Sequence, residues 1–223
     1  MYNPAAFVEN RPDVLHRFLR RHPFTTLISA GPNGFSSSHV PMLFDEPSNV
    51  LRCHVARANP HWQHLQASPE TLVIFQGPHH YISPSWYASK QQGGKVVPTW
   101  NYTTVHVQGR ARIFEDREDL VTLVRELTNE HEASFEQPWS IDDAPSDYID
   151  AMARSIVGIE ISIDQIAGKG KIDPSRIGVV PSKDWSASAR PLASRWLPSC
   201  APLSNKRPCY HDRQAQIGSP PRP

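Results

Sequence analysis

Residues 54–62, HVARANPHW, place a cation beside the start of a helix, and this combination could bind an anion. Asn59 and Pro60 are typical of the first positions of a helix. A helix N-terminus presents unpaired N–H groups and a partial positive charge, which suit a phosphate, and Arg57 would add a bidentate donor. The plainer alternative is a capped helix beside a surface arginine. These nine residues do not decide between the two.

Two further segments combine aromatic rings with polar side chains. In residues 80–90, HYISPSWYASK, the rings stand beside hydroxyl groups and Lys90, a mixture that suits a planar ligand with a charged tail. In residues 98–109, PTWNYTTVHVQG, Asn101 and Tyr102 stand at the entrance of a strand, where a ligand or a partner subunit would meet the mouth of a barrel. In both segments the alternative is aromatic packing of a loop or a strand end.

Other kinds of site find little support in the sequence. His54, His61 and His64 could form a metal cluster, but no HExxH-like frame and no carboxylate at a fitting spacing accompany them. The chain has no P-loop, no GxGxxG after a strand and no GxSxG motif, and no helix-turn-helix with a basic recognition helix. No residue announces itself as a general acid or base, and His39 and His106 are the only candidates to test for that role. We predict no metal site.

The elements that position these residues show no regular strand–helix–strand period. Residues 71–77, TLVIFQG, form a continuous apolar run, which predicts a strand buried on both faces. The sequence therefore predicts a mainly β fold, a β-barrel or mostly antiparallel sheet with short flanking helices. The predicted strands are 24–31, 35–43, 50–56, 71–77, 100–115 and 157–163, and the predicted helices are 11–21, 59–67, 116–132 and 145–156.

Composition divides the chain near residue 171. Residues 172–223 contain nine of the 22 prolines and carry eight Lys or Arg against three Asp or Glu, which predicts a divergent, disordered Pro/Ser/Arg-rich tail. Residues 1–171 carry fifteen Lys or Arg against nineteen Asp or Glu, a net charge of −4, so this domain is no general polyanion binder. Three scattered cysteines and the lack of a long apolar stretch predict a cytoplasmic protein without a membrane span.

Several long motifs in residues 1–171 resemble those of the PaiB family, which is described as FMN-binding negative transcriptional regulators. They are MYNPAAF, RHPFTTLIS, SSSHVPML, HVARANPHW, FQGPHHYISPSWYASK, KVVPTWNYTTVHVQG, the helix ELTNEHE and PWSIDDAPSDYIDAMARSIVGIEISI. The resemblance implies an FMN-binding split β-barrel of the kind shared with pyridoxamine phosphate oxidases and flavin reductase-like proteins. It also implies a homodimer with FMN lying between the subunits.

The resemblance further implies which residues bind the cofactor. Arg57 would bind the FMN phosphate, Lys90 would be a second cation that binds the phosphate, and Asn59 would begin the adjacent helix. The strand beneath the isoalloxazine would carry Ser37, Ser38 and His39. The strand that approaches the flavin from the other subunit would carry Asn101, Tyr102 and Thr104.

Three functions stay open at this point. The resemblance implies a transcriptional regulator or a flavin-dependent sensor, although residues 1–171 contain no recognisable DNA-binding element. The alternative is a flavin-dependent oxidoreductase of the pyridoxamine phosphate oxidase or flavin reductase type. The third is a small-molecule-binding module that has lost FMN, because residues 168–175, GKGKIDPS, stand where family members continue with a segment like GKWKLSQNR. Gly170 stands where family members have a tryptophan. Either the C-terminal sequence of this chain has diverged from the family, or its reading frame is shifted there.

Overall fold

The computed structural model describes residues 1–32, 34–86, 94 and 96–171. The predicted tail, residues 172–223, and Lys90 lie outside the described residues. The strands are β1 (Val8–Glu9), β2 (Phe24–Gly31), β3 (Gly34–Pro41), β4 (Leu43–Asp45), β5 (Val50–Ala56), β6 (Glu70–Ile82), β7 (Thr99–Phe114) and β8 (Ile156–Lys171).

These eight strands form one antiparallel sheet in the order β3-β2-β6-β7-β8-β5-β4, with β1 added at the end of β8. The sheet curls until β3 contacts β5, although the two strands are not paired. The fold is therefore a split β-barrel. The prediction of a mainly β, antiparallel fold is confirmed.

Within the described residues, four α-helices flank the barrel: α1 (Pro12–Arg21), α2 (His61–Ala67), α3 (Arg117–Glu132) and α4 (Ser146–Arg154). Helix α1 contacts β4 and β7, α2 contacts β2, β3 and β7, and α3 and α4 pack on β8. Asp116 begins α3 because its carboxylate accepts hydrogen bonds from the N–H groups of Glu118 and Asp119. In the described part of the chain, no helix is long and apolar enough to cross a membrane.

The core lies inside the barrel and is built by alternation along the strands. On β5, for example, Leu51, Cys53 and Val55 point inward and are buried. Burial raises the pKa of Cys53 to about 12, so this thiol packs as a small apolar side chain rather than as a nucleophile. Phe18 from α1 and Leu65 from α2 enter the same core.

Some element boundaries differ from the predicted ones. Helix α2 begins at His61 because Asn59 and Pro60 form the turn before it. Strand β8 continues to Lys171, well past the predicted end at residue 163, because β7 is long enough to pair with the extension. The prediction that residues 71–77 are buried on both faces is wrong for the single chain, since Leu72 and Ile74 point outward and are only half-buried.

Candidate functional site

Arg57 follows β5, and each of its three guanidinium nitrogens has a partner within the chain. Its Nε donates to the carbonyl oxygen of Arg154 at 2.8 Å, and its Nη2 donates to that of Ile156 at 3.0 Å. Its Nη1 pairs with the carboxylate of Glu115. Arg57 thus caps the C-terminal end of α4, and Glu115 already neutralises its charge. These contacts hold Arg57 within the chain, and its contact with the FMN phosphate stays a prediction.

Asn59 and Ser38 belong to a buried hydrogen-bond chain between α2 and the barrel. Asn59 Oδ1 accepts from the N–H of His61 at 3.0 Å, and its Nδ2 donates to Ser38 Oγ at 3.0 Å. Ser38 Oγ lies 2.8 Å from His61 Nδ1, and Ser29 Oγ lies 3.0 Å from His61 Nε2 and 2.8 Å from His64 Nδ1. The amide nitrogen of Asn59 can only donate, whereas each hydroxyl can donate and accept, so the direction of the remaining hydrogen bonds depends on the tautomers of His61 and His64.

His39 lies on the outer face of the barrel, on the opposite side of β3 from Ser38. The strand register places it in one row with Thr26, Ile74 and His106, and its Nδ1 lies 3.1 Å from Thr26 Oγ1. Ser37 also faces outward and is exposed. His39 and His106 stand three strand spacings apart, about 14 Å, so the two acid–base candidates cannot act on the same atom.

A cavity of about 560 Å³ opens on this outer face, where the C-terminal end of α1 meets β2, β3 and β6. Its volume is within the range of small-molecule and cofactor sites. The Phe24 ring at its wall stacks on the His39 ring, with the two centroids 6.4 Å apart. No carboxylate is among its described lining residues, so its charge is cationic. Its polar lining consists of Arg21, His22, Thr25, Thr26, His39, Gln76 and His79.

The three predicted residues of β7 divide between the two faces of the barrel. Asn101 is buried, and among the described residues its Oδ1 has no hydrogen-bond partner. Thr104 pairs in register with Gln76 and Lys169, so it lies beside a residue that lines the cavity. The Nζ of Lys169 sits 5.4 Å from the centroid of the Tyr102 ring. The structure thus brings Thr104 close to the cavity and leaves Asn101 at the barrel interior.

Sequence reasoning missed most of the cavity lining. Arg21 and His22 close an amphipathic helix, where basic residues are common, so nothing in the local pattern marks them. Gln76 and His79 flank an irregularity in the pairing of β6 with β7. Gly77 and Pro78 within a strand indicate a bulge, so this irregularity could have been predicted from the sequence.

Burial lowers the pKa of two histidines outside this row, His22 and His61. Burial, followed by the positive charge of Arg21, lowers the pKa of His22, so its imidazole is neutral at pH 7. Burial and then His64 lower the pKa of His61 in the same way. His54 lies apart from both, on the face of β5 that meets α3 and α4. Within the described residues, no group of three His, Cys, Asp or Glu side chains could hold a metal ion.

Comparison with known proteins gave matches in both sequence and structure. A family model described as "Putative FMN-binding domain" matches residues 1–165. An uncharacterized protein of Emericella nidulans is 33% identical over 210 residues, covering 77% of this chain and 84% of that protein. The protease synthase and sporulation protein PAI 2 of Bacillus subtilis is 29% identical over 178 residues, covering 79% of this chain and 83% of that protein.

Among solved structures, the flavocytochrome Anf3 of Azotobacter vinelandii resembles this chain with a TM-score of 0.57. The sequence identity is 11%, and the match covers 99% of this chain and 92% of that chain. At this identity the likeness shows the fold alone. It agrees with the split β-barrel described above.

Proposed function

This chain belongs to the FMN-binding domain family, of the PaiB type, and on that premise we propose that it binds FMN in the cavity beside His39. The observation that carries the proposal is the cavity itself. There His39, a residue expected to lie beneath the isoalloxazine, meets a concave wall with cationic charge and a stacked aromatic ring. These are features that a planar ligand with an anionic tail requires.

The lining suits the parts of a flavin. Phe24 and His39 offer flat faces to a ring system, while Thr26 and Gln76 offer donors and acceptors to its polar edge. Strand β3 pairs only with β2 within the described residues, so backbone groups along its other edge are open to hydrogen bonds. When bound, FMN would supply redox chemistry, and the residues of this chain would bind and orient it.

We also propose that two chains form a homodimer through the outer face of the sheet. Ile28, Leu72 and Ile74 lie side by side in the middle of this face and are half-buried in the single chain. An apolar strip of this kind on a sheet whose other face is the core suits coverage by a second subunit. In such a dimer the apolar run at residues 71–77 would be buried on both faces after all.

The regulatory part of the proposal rests on the Bacillus subtilis relative, whose name refers to protease synthesis and sporulation. The net charge of −4 on residues 1–171 does not favour direct contact with DNA. We therefore propose a cytoplasmic regulator or sensor in which flavin binding is the signal.

A flavin-dependent oxidoreductase is the second candidate. It is favoured by His39, which lies at the cavity with its ring nitrogen Nδ1 close to Thr26 Oγ1. Oxidation of NAD(P)H by the FMN-loaded protein would separate the two.

The cavity assignment is tested by titrating FMN against the full chain and following the quenching of flavin fluorescence. We expect saturable binding by the wild type and about 30-fold weaker binding by His39→Ala, since a stacking contact and a hydrogen bond each contribute about 1 kcal/mol. His131→Ala, an exposed histidine on α3, is the matched control and should bind like the wild type. Equal affinity of His39→Ala and the wild type would place the flavin elsewhere.

A further inference from the structure

We propose that the cavity beneath α3 and α4 is a second binding site, which takes a small neutral aromatic molecule with one hydroxyl group, of the phenol class. This cavity lies against β5 and the start of β8 and shares no lining residue with the cavity beside His39. The inference therefore does not depend on the flavin site. It follows from the size of the cavity, its apolar wall and one buried imidazole nitrogen that has no partner among the described residues.

The wall of this cavity is almost entirely apolar. Val121 and Val124 come from α3, and Ile149 and Met152 come from α4, while Ile141 lies in the segment that joins the two helices. None of the described lining residues is Asp, Glu, Lys or Arg. A ligand with a charged group would lose its hydration here without gaining a partner, so the cavity favours a neutral molecule.

The size of the cavity suits a single ring. Its volume is about 200 Å³, which is below the range of roughly 300–1,000 Å³ typical of cofactor and drug-sized ligand sites. An engineered apolar cavity of about 150 Å³ in another protein stays dry and binds benzene. One six-membered ring with a small substituent therefore fills this space, whereas a three-ring flavin does not fit.

His54 supplies the polar contact. Its side chain lines the cavity, and its Nδ1 atom is buried and forms no hydrogen bond with any residue that the structure describes. Burial lowers the pKa of His54, so the ring is neutral at pH 7 and offers one N–H donor and one acceptor nitrogen. Because buried polar atoms in folded proteins are as a rule hydrogen-bonded, the missing partner of Nδ1 suits a ligand that supplies one.

Two other polar side chains near His54 are already occupied. Ser155 Oγ donates to a backbone carbonyl oxygen of its own turn at 2.6 Å. Arg52, the preceding outward-facing residue on β5, pairs with Asp45 at 3.6 Å and with Glu126 at 2.8 Å. The imidazole of His54 is thus the group left for a ligand in this wall. A hydroxyl group both donates and accepts, so a phenol can pair with either tautomer of the ring.

Met152 gives the ligand an entrance and favours an aromatic ring. Its side chain lines the cavity and is also 44% exposed, so the cavity reaches the protein surface beside it. Methionine is flexible and can close over a bound ring, and its thioether makes favourable contacts with aromatic rings. We therefore expect phenol to bind more tightly than cyclohexanol, an aliphatic alcohol of similar size.

Imperfect packing of two helices on a sheet makes a different prediction. A packing defect would bind no ligand at a fixed stoichiometry, and filling it would change only the stability of the protein. It would also be indifferent to the hydroxyl group, because toluene and phenol have nearly the same shape. The preference for phenol over toluene, and its dependence on His54, therefore separate a binding site from a packing defect.

The test is isothermal titration calorimetry of the full chain with phenol, toluene and cyclohexanol. We expect one phenol per chain, with a dissociation constant of about 1 mM or lower, and weaker binding of the other two probes. His54→Leu should weaken phenol binding by about 3- to 10-fold, because one hydrogen bond is lost, and should leave toluene binding unchanged. His131→Leu, at an exposed histidine on α3, is the matched control and should keep the wild-type preference for phenol.

Two further variants fill the cavity from α3. Val124→Phe should abolish the binding of phenol and toluene, and Val121→Phe, at another point of the wall, should do the same and serves if the first variant does not fold. Circular dichroism checks the folding of every variant. Saturating FMN should not displace phenol from the wild type, since the two ligands would occupy separate cavities.

The proposal is overturned if phenol does not bind saturably, if toluene or cyclohexanol binds as tightly as phenol, or if folded His54→Leu keeps the wild-type preference for phenol. It is equally overturned if a folded cavity-filling variant binds phenol like the wild type, or if FMN displaces phenol. None of these results contradicts the proposed function. A chain that binds phenol through His54 but does not bind FMN would contradict the proposed function alone.

Discussion

At the scale of single residues, charge compensation separates cations that hold the fold together from cations that are open to a ligand. Arg57 faces Glu115, Arg117 faces Asp150, and both pairs join segments that are far apart in sequence. Neither arginine can be recognised as paired from its own neighbourhood in the chain. The motif around residue 57 identifies the family, but the partners of Arg57 decide what its side chain does.

The structural role of Arg57 predicts a loss of stability in Arg57→Gln. The variant loses hydrogen bonds to two carbonyl groups and an ion pair, and because the side chain is 39% exposed we expect a discounted loss of about 1–2 kcal/mol in the free energy of unfolding. Urea unfolding measures it. Arg110→Gln, which breaks an exposed pair with Glu70, is the control and should change stability by less than about 0.5 kcal/mol. If Arg57→Gln and Arg110→Gln lowered the free energy of unfolding by the same small amount, the structural role of Arg57 would be contradicted.

At the scale of elements, the buried chain of hydroxyls and imidazoles fixes α2 against the barrel. His61 is 1% exposed and uses both ring nitrogens, one toward β3 and one toward β2. A proton added to His61 would make both ring nitrogens donors, so the hydroxyl of Ser38 or Ser29 that donates to the neutral ring would lose its acceptor. The docking of α2 should therefore depend on pH.

The direction of this pH dependence follows from the lowered pKa of His61. The neutral ring is favoured in the folded state, so its contribution to stability is complete above the unfolded pKa of about 6.5 and is lost as the pH falls below it toward the folded pKa. We expect the Tm of the wild type to fall more between pH 8 and pH 5 than that of His61→Gln. His131→Gln, at an exposed position, should follow the wild type. Parallel pH profiles of His61→Gln and the wild type would show that His61 does not couple α2 to pH.

Sequence patterns predicted most of these elements because alternation and capping are local. The strand at 50–56 and the helix that follows Asp116 appear where alternation and the N-cap place them. The extension of β8 could not be predicted, because residues 164–171, DQIAGKGK, have weak strand character. They are held in the sheet by pairing with β7, which is distant in sequence. The cavity was missed for the same reason, since its wall comes from α1, β2, β3 and β6.

At the scale of the whole molecule, the two faces of the sheet have different characters. The inner face surrounds the core, which side chains of α1 and α2 also enter, whereas the outer face of β2 and β6 carries half-buried apolar side chains beside the cavity. A second subunit on this face would cover the apolar strip and would bring its own surface next to the flavin site. Dimerisation and cofactor binding would then be coupled by mass action.

This arrangement predicts that a charge in the apolar strip prevents dimerisation. We expect Leu72→Glu to elute as a folded monomer, because the carboxylate would be desolvated without a partner in the interface. The measurement is size-exclusion chromatography with light scattering. Phe135→Glu, at an exposed aromatic residue after α3, is the control and should remain dimeric. A dimeric Leu72→Glu, or a monomeric wild type at micromolar concentration, would contradict the proposed interface.

The most direct test of flavin binding is the visible absorption spectrum of the purified chain, taken after incubation with FMN and gel filtration. We expect a flavin spectrum that elutes with the protein, at one FMN per chain, and a perturbed band shape because the ring would stack in the cavity beside His39. A protein that elutes without flavin at saturating FMN would contradict it. That result would mean that this member of the family keeps the split barrel but does not bind the cofactor.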